Sequence, residues 1–210
     1  MGVIRNEHIE EDCIIGLWEI NETFDILYSL VNLDKDEKDT LFNFKNDDRQ
    51  LEWLSVRALL NQVVKKEARI IYNQERKPFL QDNSYNISIS HSHNLTSILL
   101  SEQKSVGIDL EFMSHRINKI AHKFINVNEH ITNVKELEKI HLYIHWCAKE
   151  ALYKICDKKN INFKNNLTIK PFEIQQEGCI TGMHHDKGIC DEFGLKYHVY
   201  DNYVIVYCTK

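Results

Sequence analysis

The chain has 210 residues, of which 43% are hydrophobic and 27% charged, and it carries a formal net charge of −5. That length supports one large domain or two small ones with a core that needs no disulfide staples, and the composition is that of a soluble globular protein rather than a disordered one. A global basic field for nucleic acid is excluded, which leaves only a local basic patch as a route to polyanions.

No apolar run approaches the roughly 20 residues that span a bilayer. The opening stretch, MGVIRNEHIEEDCII, lacks an apolar signal region, and Asn6 stands where a myristoylation motif wants Ser or Thr. A cytoplasmic protein is expected. The six cysteines (Cys13, Cys147, Cys156, Cys179, Cys190 and Cys208) are scattered with no C-x-x-C, so they read as reduced and structural.

In chain order, residues 34–66 read as a helix, with Leu51, Leu54, Ala58, Leu59 and Val63 at three- and four-residue steps and Arg57 riding on it. After "NQERKPFL" come two strands, "NISIS" and "TSILLS", with His93-Asn94 as the turn. The polar "SEQK" at 101–104 marks a seam, dividing the chain into lobes 1–104 and 105–210. A third strand covers 105–113, followed by a polar, helix-like region with Phe124. A long helix is expected over 134–157, where Leu137, Ile140, Ile144, Cys147, Ala151 and Ile155 form one apolar stripe. The end, "LKYHVYDNYVIVYCT", reads as a hairpin turning at Asp201-Asn202. Strands and a long helix in each half give an α+β class with two comparable lobes.

The third strand, "SVGIDLEFM", poses the chemical question. Alternation puts Val106, Ile108, Leu110 and Phe112 on one face, expected to be the core, and Gly107, Asp109 and Glu111 on the other. Two carboxylates pointing the same way repel each other, and a hard cation such as Mg²⁺, which takes oxygen ligands, relieves that repulsion. Gly107 is expected to leave room for a ligand. The plain alternative is a solvated polar face. The spacing is not that of an EF-hand.

On the long helix, "HWCAKEALYK" puts Glu150 and Lys154 four residues apart at the border of the apolar stripe. A third carboxylate there could complete a metal site, and a lysine one turn on could reach a phosphate. An ordinary surface Glu–Lys pair is the competing reading. Upstream, "RKP" at 76–78 and the Ser90, His91, Ser92, His93 run offer cations and donors suited to a phosphate. Zinc on His91 and His93, or on Cys179, His184, His185 and Cys190, is disfavoured because neither set has ligand spacing typical of zinc.

Taken in order, "RKPFL" at 76–80, "SISHS" at 88–92, "VGIDLE" at 106–111 and "WCAKEALYK" at 146–154 resemble the 4′-phosphopantetheinyl transferase superfamily, in its larger Sfp-type form. The resemblance implies two pseudo-symmetric lobes, each an antiparallel sheet packed with a long helix, and an active site in the cleft between them. It implies Mg²⁺ on Asp109, Glu111 and Glu150 against the diphosphate of coenzyme A, with Lys154 on the same phosphates. Lys77, Ser90 and His91 match positions that hold the nucleotide end, and Arg57 matches a basic residue of similar role. Cys147 stands where many relatives carry Ser or Thr, a packing difference on the apolar stripe.

The implied reaction is attack by a carrier-protein serine on the phosphate bearing the pantetheine arm, with release of adenosine 3′,5′-bisphosphate. Glu150 or a metal-bound water is the expected base, and Lys154 is placed to offset charge on the leaving phosphate or to protonate it. An acyl, polyketide or peptidyl carrier is the expected partner. Such carriers are acidic, so a locally basic docking surface is expected, with Lys119 and Lys123 as candidates. A monomer is expected. Two other readings are a non-catalytic coenzyme A-binding or synthase-interaction module of the same fold, and a Mg²⁺-dependent phosphohydrolase.

Overall fold

The computed structural model describes residues 2–156 and 160–210, so Asp157, the expected end of the second long helix, lies outside the described residues. The chain is α+β and divides into two units, Met1–Lys104 and Ser105–Lys210.

The first unit opens with β1 (Val3–Glu10) and β2 (Cys13–Glu19), strands the sequence reading had not assigned. Three helices follow: α1 (Phe24–Ser29), α2 (Lys35–Phe42) and α3 (Asp47–Val64). Then come β3 (Ile70–Tyr72), β4 (Pro78–Leu80), β5 (Asn86–Ser92) and β6 (Leu95–Ser101). An antiparallel sheet runs in the order β1-β2-β6-β5, while β3 and β4 form a separate hairpin. Leu54, Ala58, Leu59 and Val63 of α3 pack on Ile14, Trp18, Ile98 and Leu100 of the sheet.

The single helix expected over 34–66 is two helices. Asp34 starts α2 with a reciprocal capping box to Glu37. Asn46 restarts the chain by accepting a hydrogen bond from the Asp48 amide. Asn favours such caps because its side chain competes with the backbone ladder. The β5–β6 turn falls at His93, whose φ of 56° is left-handed.

The second unit holds β7 (Val106–Phe112), α4 (Ile117–Phe124), α5 (Lys135–Cys156), α6 (Phe163–Asn166), β8 (Leu167–Ile169), β9 (Glu177–Asp186), β10 (Ile189–Tyr200) and β11 (Tyr203–Thr209). Its sheet is antiparallel throughout, in the order β7-β11-β10-β9-β8. The terminal hairpin turns at Asp201, φ 49°. Ile144, Cys147, Ala151 and Ile155 of α5 are buried against Val204, Val206 and Cys208 of β11, whereas Leu137 is exposed.

That packing corrects the expected orientation of β7. Val204, Val206 and Cys208 pair directly with Glu111, Asp109 and Gly107, and directly paired antiparallel residues share a face. The carboxylates therefore lie on the face that α5 covers. Ile108 and Leu110 are buried on the opposite face. Both faces of the strand exclude water, so alternation alone could not tell which one carried the helix.

Lys149 is the least expected core residue. It is fully buried, and its ammonium donates to Phe124 O (2.5 Å), Glu129 Oε2 (2.7 Å) and Phe163 O (3.1 Å). Glu129 in turn accepts from the amides of Asn126 and Ile169. Burial pulls the Lys149 pKa down, and Glu129 opposes that shift. The pair ties α5 to the ends of α4 and α6 and to β8. Removing one partner of a buried pair leaves an uncompensated charge, so Lys149→Met should destabilise the protein by about 3–5 kcal/mol. Adding Glu129→Gln should recover part of that loss, because the amide oxygen still accepts from Ile169. Urea unfolding measures both. A loss under about 1 kcal/mol for Lys149→Met would contradict this role.

Candidate active site

Helix α5 runs along β7 in the opposite sense. As residue numbers rise along the helix, their strand partners fall. The Tyr143 hydroxyl accepts from the Ser114 amide at 2.9 Å. Trp146 Nε1 donates to Glu111 Oε1 at 3.3 Å. Gly107 meets the helix backbone itself: a Cβ there would lie 2.2 Å from Ala151 O. One helical turn advances about 5.4 Å and two strand residues about 6.6 Å, so the two periods stay nearly in step. Gly107 therefore admits the helix rather than a ligand, which corrects the expectation from sequence.

Lys154 reaches back along the helix, as helical side chains do. Its ammonium donates to Ile108 O and to Asp109 Oδ1, each at 2.8 Å. Asp109 is 5% exposed, while Glu111, Glu150 and Lys154 are partly exposed. Burial, then the negative charge of Asp109, push the Glu150 carboxyl up to about 7; Lys154 opposes the shift and Glu111 adds to it. Glu150 thus shares one electrostatic field with both strand carboxylates. Cys147 is buried with its Sγ 3.7 Å from Val204 O, and burial raises its thiol well above the ordinary range.

The donor set is three carboxylates with no sulfur or imidazole, which suits a hard cation with oxygen ligands. The negative charge of Asp109, which adds to burial in raising the Glu150 carboxyl, is one that a divalent cation would offset. The three are not drawn to the tightest ligand spacing. Among the described residues, the only group of three with ligand atoms within 4.8 Å of one another is Glu10, Asp12 and Cys13. That group already has a cation, Lys104, 2.6 Å from Glu10 and 3.7 Å from Asp12. The cysteines and histidines of the β9–β10 hairpin are spread along it. His185 faces Cys190, His184 faces Asp191, and Cys179 faces Lys196.

In the first unit, Arg57 is 4% exposed. Its guanidinium lies 3.2 Å from Glu37 Oε1 and 3.2 Å over the Trp53 ring, so it is turned inward and not toward a phosphate. Lys77 lies just before β4, with its amide donating to Asn73 Oδ1 and its ammonium 5.9 Å over the Phe79 ring. Ser90 and His91 are neighbours on β5 and so face opposite sides. Ser90 pairs with Ser97, and His91 lies 3.2 Å from Glu52 and also contacts Arg49. The Arg49–Glu52–His91 cluster was missed from sequence, although Arg49 and Glu52 sit three apart on one helix. Trp146, Lys149, Tyr143 and Glu129 were likewise given no role. Trp146 and Lys149 lie within the quoted helix motif.

The Glu150 carboxyl holds its proton more tightly in the folded chain than in the unfolded one. Its contribution to stability therefore falls as pH rises from about 4.5 to about 7. In buffer with a chelator, Glu150→Gln should gain stability relative to the parent across that window, by at most about 3 kcal/mol. Denaturant unfolding at pH 5 and pH 8 measures it, and a difference that does not change with pH would contradict the shift.

Residues 105–208 match the 4′-phosphopantetheinyl transferase superfamily. The chain is 30% identical over 116 residues to the 4′-phosphopantetheinyl transferase AcpT of Escherichia coli O157:H7, a match covering 50% of this chain and 57% of the relative. The AcpT of E. coli K12 gives the same identity and coverage. The AcpT of Salmonella typhi is 29% identical over 112 residues, covering 50% of this chain and 58% of the relative. The chain thus spans little more than half the length of these relatives. Through its second unit, the chain belongs to the 4′-phosphopantetheinyl transferase superfamily.

Proposed function

We propose that this protein transfers the 4′-phosphopantetheine arm of coenzyme A to a serine of an acyl, polyketide or peptidyl carrier protein, with Mg²⁺, in the manner of the Sfp-type members. What supports the reading is the Lys154–Asp109 hydrogen bond across the α5–β7 contact, together with a Glu150 carboxyl raised by burial and by the charge of Asp109. Asp109, Glu111 and Glu150 would hold Mg²⁺. When bound, the ion supplies positive charge that neutralises the phosphoryl oxygens.

The serine oxygen forms a bond to the phosphorus bearing pantetheine, and the bridging oxygen leaves with adenosine 3′,5′-bisphosphate. We assign acceptance of the serine proton to Glu150; the rise of its carboxyl to about 7 belongs to the metal-free chain. Lys154, one turn along from Glu150, is assigned to the charge of the departing phosphate. Lys77, Ser90 and His91 are assigned to the nucleotide end. Arg57 is assigned a part through the position of α3, since its guanidinium is engaged by Glu37 and Trp53.

Lys119 and Lys123 are exposed on α4 and fit an acidic carrier. Among the described residues no helix is long and apolar enough to cross a membrane. That the protein is a monomer acting in the cytoplasm is part of the proposal.

Incubation with a panel of apo-carriers, coenzyme A and Mg²⁺ should add one phosphopantetheinyl group to a carrier serine, read by mass spectrometry. Asp109→Ala should lower the rate by about 100-fold or more, as loss of several kcal/mol of charge stabilisation requires. No mass gain on any carrier would overturn the reading. Coenzyme A binding without transfer would point to a non-catalytic module, and phosphate release without an acceptor to a hydrolase.

A further inference from the structure

Trp146 is held with unusual care for a half-buried residue. Its ring packs edge-on to Phe124 at 5.1 Å between centroids and lies 5.7 Å from Phe163. Those two residues are also the ones whose backbone carbonyls the buried Lys149 ammonium binds. A single lysine, three residues along α5 from the indole, therefore pins both flanks of it. The indole nitrogen, a donor with no other protonation state in play, is directed at Glu111 Oε1.

We propose that Trp146 is a positioning residue: its N–H fixes the carboxylate plane of Glu111 and so sets the affinity of the Asp109–Glu111–Glu150 cluster for a divalent cation. The inference rests on the metal reading of that cluster. A flexible glutamate with one oxygen held loses rotamer freedom before the cation arrives, so less is lost on binding. Groups that orient a metal ligand in this way are worth about 10–100-fold in metal affinity.

The test uses Mn²⁺ binding followed by electron paramagnetic resonance, without substrate. Trp146→Phe keeps an aromatic ring between Phe124 and Phe163 and removes the N–H. It should weaken Mn²⁺ binding by about 10-fold or more, with cooperative unfolding retained in chelator. In a Glu111→Ala background, which leaves the indole no acceptor at that position, the same substitution should add nothing. In transfer assays the apparent KM for Mg²⁺ should rise while kcat at saturating Mg²⁺ is retained. Independently of any Trp variant, the Trp146 indole N–H resonance should move in Glu111→Ala protein.

Parent protein that binds no Mn²⁺ would overturn both this inference and the metal reading beneath it. Trp146→Phe protein that binds Mn²⁺ as tightly as the parent would overturn the inference alone. So would an equal loss in the Glu111→Ala background, or an indole resonance indifferent to that change.

Discussion

Gly107 and the carbonyl of Ala151 make the contact on which the second unit's site depends. Backbone meets backbone there, and a single methyl group at Gly107 would sit 2.2 Å from the oxygen. With the helix this close, side chains one and two turns away from the contact must share space with the strand's alternate residues. Asp109 is then buried beneath the helix, Lys154 can fold back onto it, and Glu111 comes under the indole of Trp146. The same closeness strips water from Glu150, and that burial is the largest cause of its raised proton affinity.

The helix carries two lysines with opposite fates. Lys149 is spent entirely on structure, its three donors taken by Glu129 and two backbone carbonyls. Lys154 bonds an oxygen of Asp109 and a strand carbonyl while about a quarter of its side chain stays exposed. A fully desolvated ammonium is stable only when carbonyls and a carboxylate replace its water. A partly exposed one can change partners, as the proposed transfer requires when a phosphate arrives. Both sit within ten residues of sequence, and their separation by five positions turns them to different sides of the helix.

Much of this was readable from residues alone. The period-two pattern of β7, the apolar stripe of α5 and the terminal hairpin all follow from local spacing, and Glu150 and Lys154 stood out at the stripe's border. What spacing could not settle was which side of β7 the helix covers, because apolar residues fill one face and a glycine and two carboxylates the other. A glycine reads equally well as room for a ligand and as room for a backbone. Residues 34–66 kept helical spacing across a break that Asn46 marks by capping the second helix. Arg57 misled and Lys149 was passed over for a common reason: charged residues are almost never fully buried, and only tertiary partners such as Glu37 or Glu129 reveal the exceptions.

The account turns on Glu150 lying in the field of Asp109 and Glu111, and a carbon-13 NMR titration of the Glu150 side-chain carboxyl in divalent-free buffer tests this most directly. The account predicts a midpoint at about 7, moving toward 4.5 when Asp109 is replaced by Asn. A midpoint near 4.5 in the parent protein, unmoved by that substitution, would contradict it.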